Sequence, residues 1–156
     1  MSIDAIDARI LTALQEDNRL TSDQLSARVN LSPTAVQRRV KRLRAAGVIE
    51  ADVSIVSPQA VGRPILMLVS VSLERESADL VDRFKKAIRA APEIMSGYYV
   101  TGEADFVLTV TAKSMEHYEQ FIRRFFYNMP NVRSFKTLVV VDRVKSGFTL
   151  PIDPTE

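Results

Sequence analysis

The chain has 156 residues, enough for one domain of ordinary size or for two small ones. It is 46% hydrophobic and 26% charged, with 5 Gly and 7 Pro, which excludes a wholly disordered, collagen-like or low-complexity protein. The lack of cysteine excludes disulfides and thiolate sites. The single histidine, His117, leaves most zinc and Ser-His-Asp mechanisms without the residues that they need. We therefore expect no enzyme, no metal and no cofactor.

The charge is unevenly distributed along the chain, although its net value is only +2. No acidic residue lies between Asp23 and Glu50, and the same window contains Arg28, Arg38, Arg39, Lys41, Arg42 and Arg44. Such a basic block favours a polyanionic partner, although a solvated helix face would have the same composition. No segment has the pattern of a signal peptide or a membrane span, so we expect a cytoplasmic protein that does not bind membranes.

The first fifty residues have the pattern of three helices. Apolar spacing predicts helices over about 4–16, 22–29 and 33–46, and Gly47 follows the last of them. Thr21 and Gln24 form a capping-box pattern before the second helix, and Ser32-Pro33 begins the third. Two short helices joined by about four residues are typical of a helix-turn-helix motif, whose second helix enters the DNA major groove.

The third predicted helix has one apolar face and one polar face. Val36, Val40 and Leu43 share a stripe that must face the core, and Thr, Gln, Arg and Lys side chains lie opposite or beside it. Those polar side chains suit base edges and phosphates. Arg39 lies beside the apolar stripe, where it braces the domain, reaches a phosphate from the edge or reads a base. The predicted DNA-binding residues are Ser32, Thr34, Gln37, Arg38, Arg39, Lys41 and Arg42.

The second half has a different pattern. Residues 48–56 are predicted to be extended and to lead into a β-linker over 51–64. The following residues predict strands over 65–74, 94–100, 105–112 and 133–144, with helices over 77–90 and from Ser114 onward. This order is that of a ferredoxin-like βαββαβ sandwich. The fold class is therefore α+β, with domains over 1–50 and 65–156. Strands that are apolar on both faces predict a homodimer through the open sheet face.

Five segments carry a resemblance to a known family. They are IDAIDARIL (3–11), NRL (18–20), LSPTAVQRRVKRL (31–43), AGVI (46–49) and TGEADF (101–106). Together they strongly resemble the Lrp/AsnC (feast/famine) family of prokaryotic transcriptional regulators, and the resemblance covers essentially the whole chain. It implies an N-terminal winged-type helix-turn-helix domain, a β-linker, and a C-terminal domain that senses a ligand and assembles dimers into tetramers or octamers.

The resemblance also implies an effector site for an amino acid. In such proteins the loop between the second and third sandwich strands and the last strand hold the effector. Transferred to this sequence, the site residues are Val100, Thr101, Gly102, Glu103, Asp105, Ser134 and Thr137. Carboxylates would bind the ammonium of the effector, and N–H and hydroxyl groups its carboxylate. Glu103 adds a second carboxylate to that of Asp105, so the effector could carry a basic side chain, and its identity stays open.

Alternative interpretations remain at this stage. Gly102 and Asp105 could serve only as turn residues. The whole protein could be a DNA-compacting architectural protein without an effector, or the sandwich could be an enzyme, which the residue inventory disfavours. The expected partners are double-stranded DNA, an amino-acid effector and further copies of the chain, and we expect the protein to be associated with the nucleoid.

Overall fold

The computed structural model describes residues 2–154, which form two compact units. The first unit comprises residues 2–54 together with 145–154, and the second comprises 55–144. The sequence-based boundary placed everything after residue 64 in the second domain. The return of residues 145–154 to the first unit differs from that boundary, because Ile152 packs against the apolar core of the helices. Within residues 2–154, no helix is long and apolar enough to cross a bilayer.

The first unit contains the three predicted helices. They are α1 (Ala5–Glu16), α2 (Ser22–Val29) and α3 (Pro33–Ala45). Asp4 and Thr21 form capping boxes with Asp7 and Gln24, and the Ser32 hydroxyl caps α3. These side chains satisfy N–H groups that a helix cannot pair internally, so each helix begins at its cap. The buried stripe of α3 consists of Val36, Val40 and Leu43, as predicted.

The turn between α2 and α3 is fixed by local hydrogen bonds. Asn30 ends α2 in the left-handed conformation with φ of 58°, which asparagine tolerates better than most residues. The Ser26 hydroxyl donates to the Leu31 carbonyl at 2.6 Å. The angle at which α3 leaves α2 is therefore set by the turn itself as well as by the apolar contacts between the helices.

The second unit is the predicted ferredoxin-like sandwich. Its elements are β1 (Ile65–Leu73), α4 (Ala78–Ala90), β2 (Ile94–Tyr99), β3 (Phe106–Ala112), α5 (Met115–Phe125) and β4 (Val132–Val139). The strands pair antiparallel in the order β2-β3-β1-β4, and both helices pack on one face of the sheet. Gly97 permits close packing there, because a Cβ atom at this position would lie 2.8 Å from Cγ2 of Ile88 on α4.

Two predicted strand segments are wrong. Residues 51–64 contain no strand, and Val53 and Ile55 are 64% and 76% exposed, because no other part of the described chain pairs with them. The last strand ends at Val139 rather than at Val144. Its neighbour β1 begins at Ile65, directly after Pro64. The Val140 N–H still donates to the Leu66 carbonyl at 2.9 Å, but the residues after Val140 have no part of β1 left to pair with.

The sheet has an open face with an apolar centre. Leu68, Tyr98 and Leu138 lie on the strands and are 38%, 59% and 57% exposed. Residues that point to the other face of the sheet, such as Met67 of β1 and Leu108 of β3, are fully buried under the helices. An apolar sheet face of this kind is characteristic of a surface that another protein layer covers.

A buried ion pair connects α5 to the segment before β2. Glu93 is 5% exposed, and its Oε1 accepts a hydrogen bond from Nη2 of Arg124 at 2.5 Å. Burial by itself raises the pKa of Glu93, but hydrogen bonds from its own backbone N–H and from Arg124 outweigh burial, so the pKa lies below its ordinary value. Among residues 2–154, Oε2 of Glu93 has no hydrogen-bond partner.

Candidate DNA-binding surface and effector loop

The N-terminus of α3 is built by Ser32 and Pro33. The Ser32 hydroxyl oxygen accepts from the Ala35 N–H at 3.3 Å, and Pro33 occupies the first turn, where a missing N–H costs nothing. Ser32 is exposed and retains its hydroxyl proton for a further acceptor. The positive end of the helix dipole thus lies at a solvent-accessible hydroxyl, which suits a phosphate.

The outer face of α3 is a polar stripe, which we call the reading stripe: Thr34, Gln37, Arg38 and Lys41. All four side chains are exposed. Within residues 2–154, none of them forms a side-chain hydrogen bond or an ion pair. Their donors and acceptors therefore remain available to the base edges and phosphates of a nucleic acid.

Arg39 and Arg42, by contrast, are turned toward α1. Nη1 of Arg39 donates to Asp4 at 2.6 Å and to Asp7 at 2.8 Å, and Nη2 of Arg42 donates to the other oxygen of Asp7. The carboxylates of Asp4 and Asp7 raise the pKa of Arg39, whereas the backbone N–H of Asp7 and then Arg39 lower the pKa of Asp4. Of the roles considered for Arg39, which were a brace, a phosphate contact and base reading, this geometry is that of the brace.

Asp7 is the residue of this surface that sequence reasoning missed. It is 1% exposed, and its carboxylate holds two arginines of α3 against α1. In the sequence analysis Asp7 is only one letter of the IDAIDARIL segment and has no role of its own. A signal was present, because Asp7 precedes Ile10 by three residues and Leu11 by four, which places a carboxylate on the apolar face of the helix.

The loop between β2 and β3 is a short turn tied to β1. The Val100 N–H donates to the Asp105 carbonyl at 2.8 Å, and Gly102 has φ of 124°, where a side chain would be strained. Oδ2 of Asp105 accepts from the Leu73 N–H at 2.6 Å, so this carboxylate already anchors the turn. Thr101, Gly102 and Glu103 remain exposed.

Ser134 and Thr137 lie on opposite faces of β4. Ser134 is in register with Ser72, whose hydroxyl donates to the Glu103 carbonyl at 3.3 Å, so Ser134 lies on the open face at the end of the sheet that carries the loop. Thr137 is in register with the buried Val69 and shares a 2.5 Å hydrogen bond with Tyr118 of α5. The structure therefore brings Ser134 toward the loop and leaves Thr137 under the helices.

Comparison with known proteins gives two family matches. Residues 66–150 match the model described as the Lrp/AsnC ligand-binding domain, and residues 3–50 match a winged helix-turn-helix DNA-binding model. The two matches correspond to the sandwich and to the three-helix unit.

Individual relatives agree with these matches. An HTH-type transcriptional regulator of Sinorhizobium fredii is 63% identical over 153 residues, covering 98% of this chain and 90% of that protein. The leucine-responsive regulatory protein of Escherichia coli K12 is 32% identical, covering 96% of this chain and 92% of that protein. The crystal structure of a Neisseria meningitidis transcriptional regulator in complex with L-Met has a TM-score of 0.91 at 31% identity, covering 96% of this chain and 97% of that one.

The three-helix unit, the sandwich and the relatives that match nearly the whole chain therefore support one conclusion. The chain belongs to the Lrp/AsnC family of DNA-binding transcriptional regulators with a ligand-binding domain.

Proposed function

We propose that this regulator binds specific DNA sequences through α3 and that a small effector, an amino acid, modulates its assembly or its DNA binding. The observation that carries the proposal is the reading stripe: four exposed side chains on one helix face without internal partners among the described residues. Unpaired polar groups on a convex helix gain hydrogen bonds on entering a groove and lose none within the protein.

The residues of α3 divide into two roles in this proposal. Arg38 and Gln37 read guanine and adenine edges, the Thr34 methyl group contacts thymine, and Lys41 binds a phosphate. Ser32 adds a phosphate contact at the N-terminus of the helix. Arg39 and Arg42, predicted from the sequence as DNA-binding residues, act mainly by holding α3 on α1 through Asp7.

Substitution of Arg38 tests the assignment of base reading. On a site selected from random-sequence DNA by the wild-type protein, Arg38→Ala should weaken binding by about 1–3 kcal/mol. Lys41→Ala should weaken binding to all sequences to a similar degree. It should also reduce the salt slope, which is the slope of the logarithm of the binding constant against the logarithm of the salt concentration, by about 1. Fluorescence anisotropy on specific and scrambled duplexes at several salt concentrations measures both effects.

The control for this experiment is Arg123→Ala, which removes an exposed arginine on α5 in the second unit. It should leave DNA affinity unchanged. An Arg38→Ala variant with wild-type affinity and wild-type sequence preference would contradict the assignment.

The effector part of the proposal rests on the loop at 100–105. Thr101 and Gly102 offer exposed N–H and hydroxyl donors for a carboxylate, and Glu103 offers an exposed carboxylate for an ammonium group. Ser134 adds a hydroxyl at the same end of the sheet. The Neisseria relative was crystallised with L-Met, which supports an amino acid as the class of ligand.

A thermal-shift screen of the full chain against the twenty amino acids tests this part. A ligand at about 100 times its Kd stabilises the folded state by about 2.7 kcal/mol, which raises the melting temperature measurably. We expect a shift with one chemical class of amino acid and its loss in Glu103→Gln. The control Glu116→Gln changes an exposed glutamate on α5 and should keep the shift. A flat response across the panel would contradict an amino-acid effector.

Assembly into a homodimer through the open sheet face completes the proposal. Leu68, Tyr98 and Leu138 form an apolar surface that a second copy would bury, and dimers would then associate into tetramers or octamers. Each dimer would present two α3 helices to successive major grooves. Light scattering at micromolar concentration that finds only monomer would contradict this assembly.

A further inference from the structure

The C-terminal segment is bound to the three-helix unit through one glutamine. The Leu150 N–H donates to Oε1 of Gln15 at 2.7 Å, and Nε2 of Gln15 donates to the Leu150 carbonyl at 3.0 Å. A single side-chain amide thus satisfies both backbone polar groups of one residue, as a neighbouring β-strand would. The contact fixes the position of the segment along α1, which an apolar contact alone would not do.

A groove of about 480 Å³ lies beside this contact, and the end of the segment forms one of its walls. Ile152 is partly buried against the helical core, and Pro154 also lines the groove. The α1 side of the groove is lined mainly by small side chains, which let another chain approach closely: Ala5, Ala8, Thr12 and Ala13. The segment is therefore packed against α1 through Leu150 and Ile152 and encloses the groove together with that helix.

The docked segment contacts the helix that positions the reading stripe. The groove residues of α1 recur at positions 5, 8, 9, 12, 13 and 16, and Asp7 of the same helix holds Arg39 and Arg42 of α3. The linker at 51–64 contains no helix or strand and exposes Val53 and Ile55, and its second half is a turn in which the Arg63 N–H donates to the Pro58 carbonyl at 2.7 Å. A single connection restricts a domain less than two connections do, because a second attachment removes much of the remaining freedom.

We propose that the face of α1 that carries Gln15 is a docking site for the chain's own C-terminal segment, and that the docked segment is a second tether of the DNA-binding unit. The tether limits the range of positions that α3 occupies. The two DNA-binding units of a dimer then fit DNA half-sites of one spacing. The docking itself is independent of the proposed function. Its effect on half-site spacing rests on that function.

Hydrogen exchange on the full chain tests the docking. The Leu150 amide should be protected in the wild-type protein and should exchange about tenfold faster in Gln15→Leu, which removes both hydrogen bonds with little change in volume. Gln120→Leu, the same substitution at an exposed position of α5, should leave Leu150 protection unchanged. An unprotected Leu150 amide in the wild-type protein would overturn the proposal, whatever the DNA result.

DNA half-site spacing tests the tether. The probes carry two copies of the selected half-site whose centres are one helical turn apart, about 10.5 base pairs, or one and a half turns apart. Wild type should prefer one spacing, and Ile152→Asp should lose that preference while it keeps its affinity for a single half-site. The control Phe148→Asp alters a side chain of the same segment that is 81% exposed and should keep the preference.

The two measurements separate the possible failures. A protected tail with an unchanged spacing preference in Ile152→Asp would overturn the tether. Absence of any DNA binding by the wild-type protein would instead refute the proposed function, and the exchange result for the docking would still stand.

Discussion

Arg124→Met should destabilise the second unit by about 3–5 kcal/mol at neutral pH, because it leaves a buried carboxylate without its partner. Glu93 is 5% exposed, and Arg124 is the only cation within hydrogen-bond distance of it among residues 2–154. Denaturant unfolding followed by circular dichroism measures the loss. Glu93→Gln should cost less, because the Arg124 side chain is 63% exposed and returns to water when its partner is removed.

The pH dependence of this loss has a definite sign. In wild type the pKa of Glu93 lies below its ordinary value, so the pair stabilises the fold above about pH 4.3 and the contribution is lost as the pH falls through that region. In Arg124→Met only the backbone N–H of Glu93 and the charge of Arg63 still lower the pKa of Glu93, so we expect burial to dominate and raise it, and protonation should then relieve part of the penalty. The stability difference between the two proteins should therefore shrink on acidification.

The control for this pair is Arg123→Met on the same helix. Arg123 binds Glu119 at 2.7 Å, but both side chains are more than 60% exposed, and such a pair contributes about 0.3–0.5 kcal/mol. A loss of the same small size in Arg124→Met, without pH dependence, would contradict the interpretation of Glu93 as a buried charge.

Asp7→Ala should destabilise the three-helix unit by about 3 kcal/mol, because its carboxylate accepts charged hydrogen bonds from two arginines. DNA binding should change in two ways. Affinity for the selected site should fall, since α3 loses its anchor on α1. The salt slope on random DNA should steepen by about 0.9, since the released Arg42 becomes available to a phosphate.

Asp23→Asn provides the control for Asp7, since it removes an exposed carboxylate from the first turn of α2. It should alter stability by less than about 0.5 kcal/mol and leave DNA binding unchanged. Thermal melting and anisotropy on the same preparations give both readouts. An Asp7→Ala protein with wild-type stability would show that the two arginines are not held by this carboxylate.

The helices of the first unit were predictable because their signals are local. Thr21 with Gln24 and Ser32 with Pro33 mark helix starts by chemistry that acts within one turn. The buried stripe of α3 follows from helical periodicity alone. The strand order followed from the alternation of strand and helix patterns, which permits few topologies.

The errors concern features that depend on distant parts of the chain. The segment at 48–56 has the composition of a strand, but strand structure requires a partner that the described chain does not provide. The positions of Asp7 and Thr137 depend on tertiary packing, against α3 in one case and α5 in the other. The docking of Leu150 on Gln15 links residues 135 positions apart, and neither residue carries a local signal for it.

The lack of internal partners for the reading stripe has a consequence for evolution. Exposed positions without internal contacts generally tolerate substitution within about 0.5 kcal/mol. Thr34, Gln37, Arg38 and Lys41 are thus free to change with little effect on folding, whereas Asp7 and Arg39 are not. Descendants of one ancestral regulator could acquire new operator sequences through these four positions while the helices that carry them stay the same.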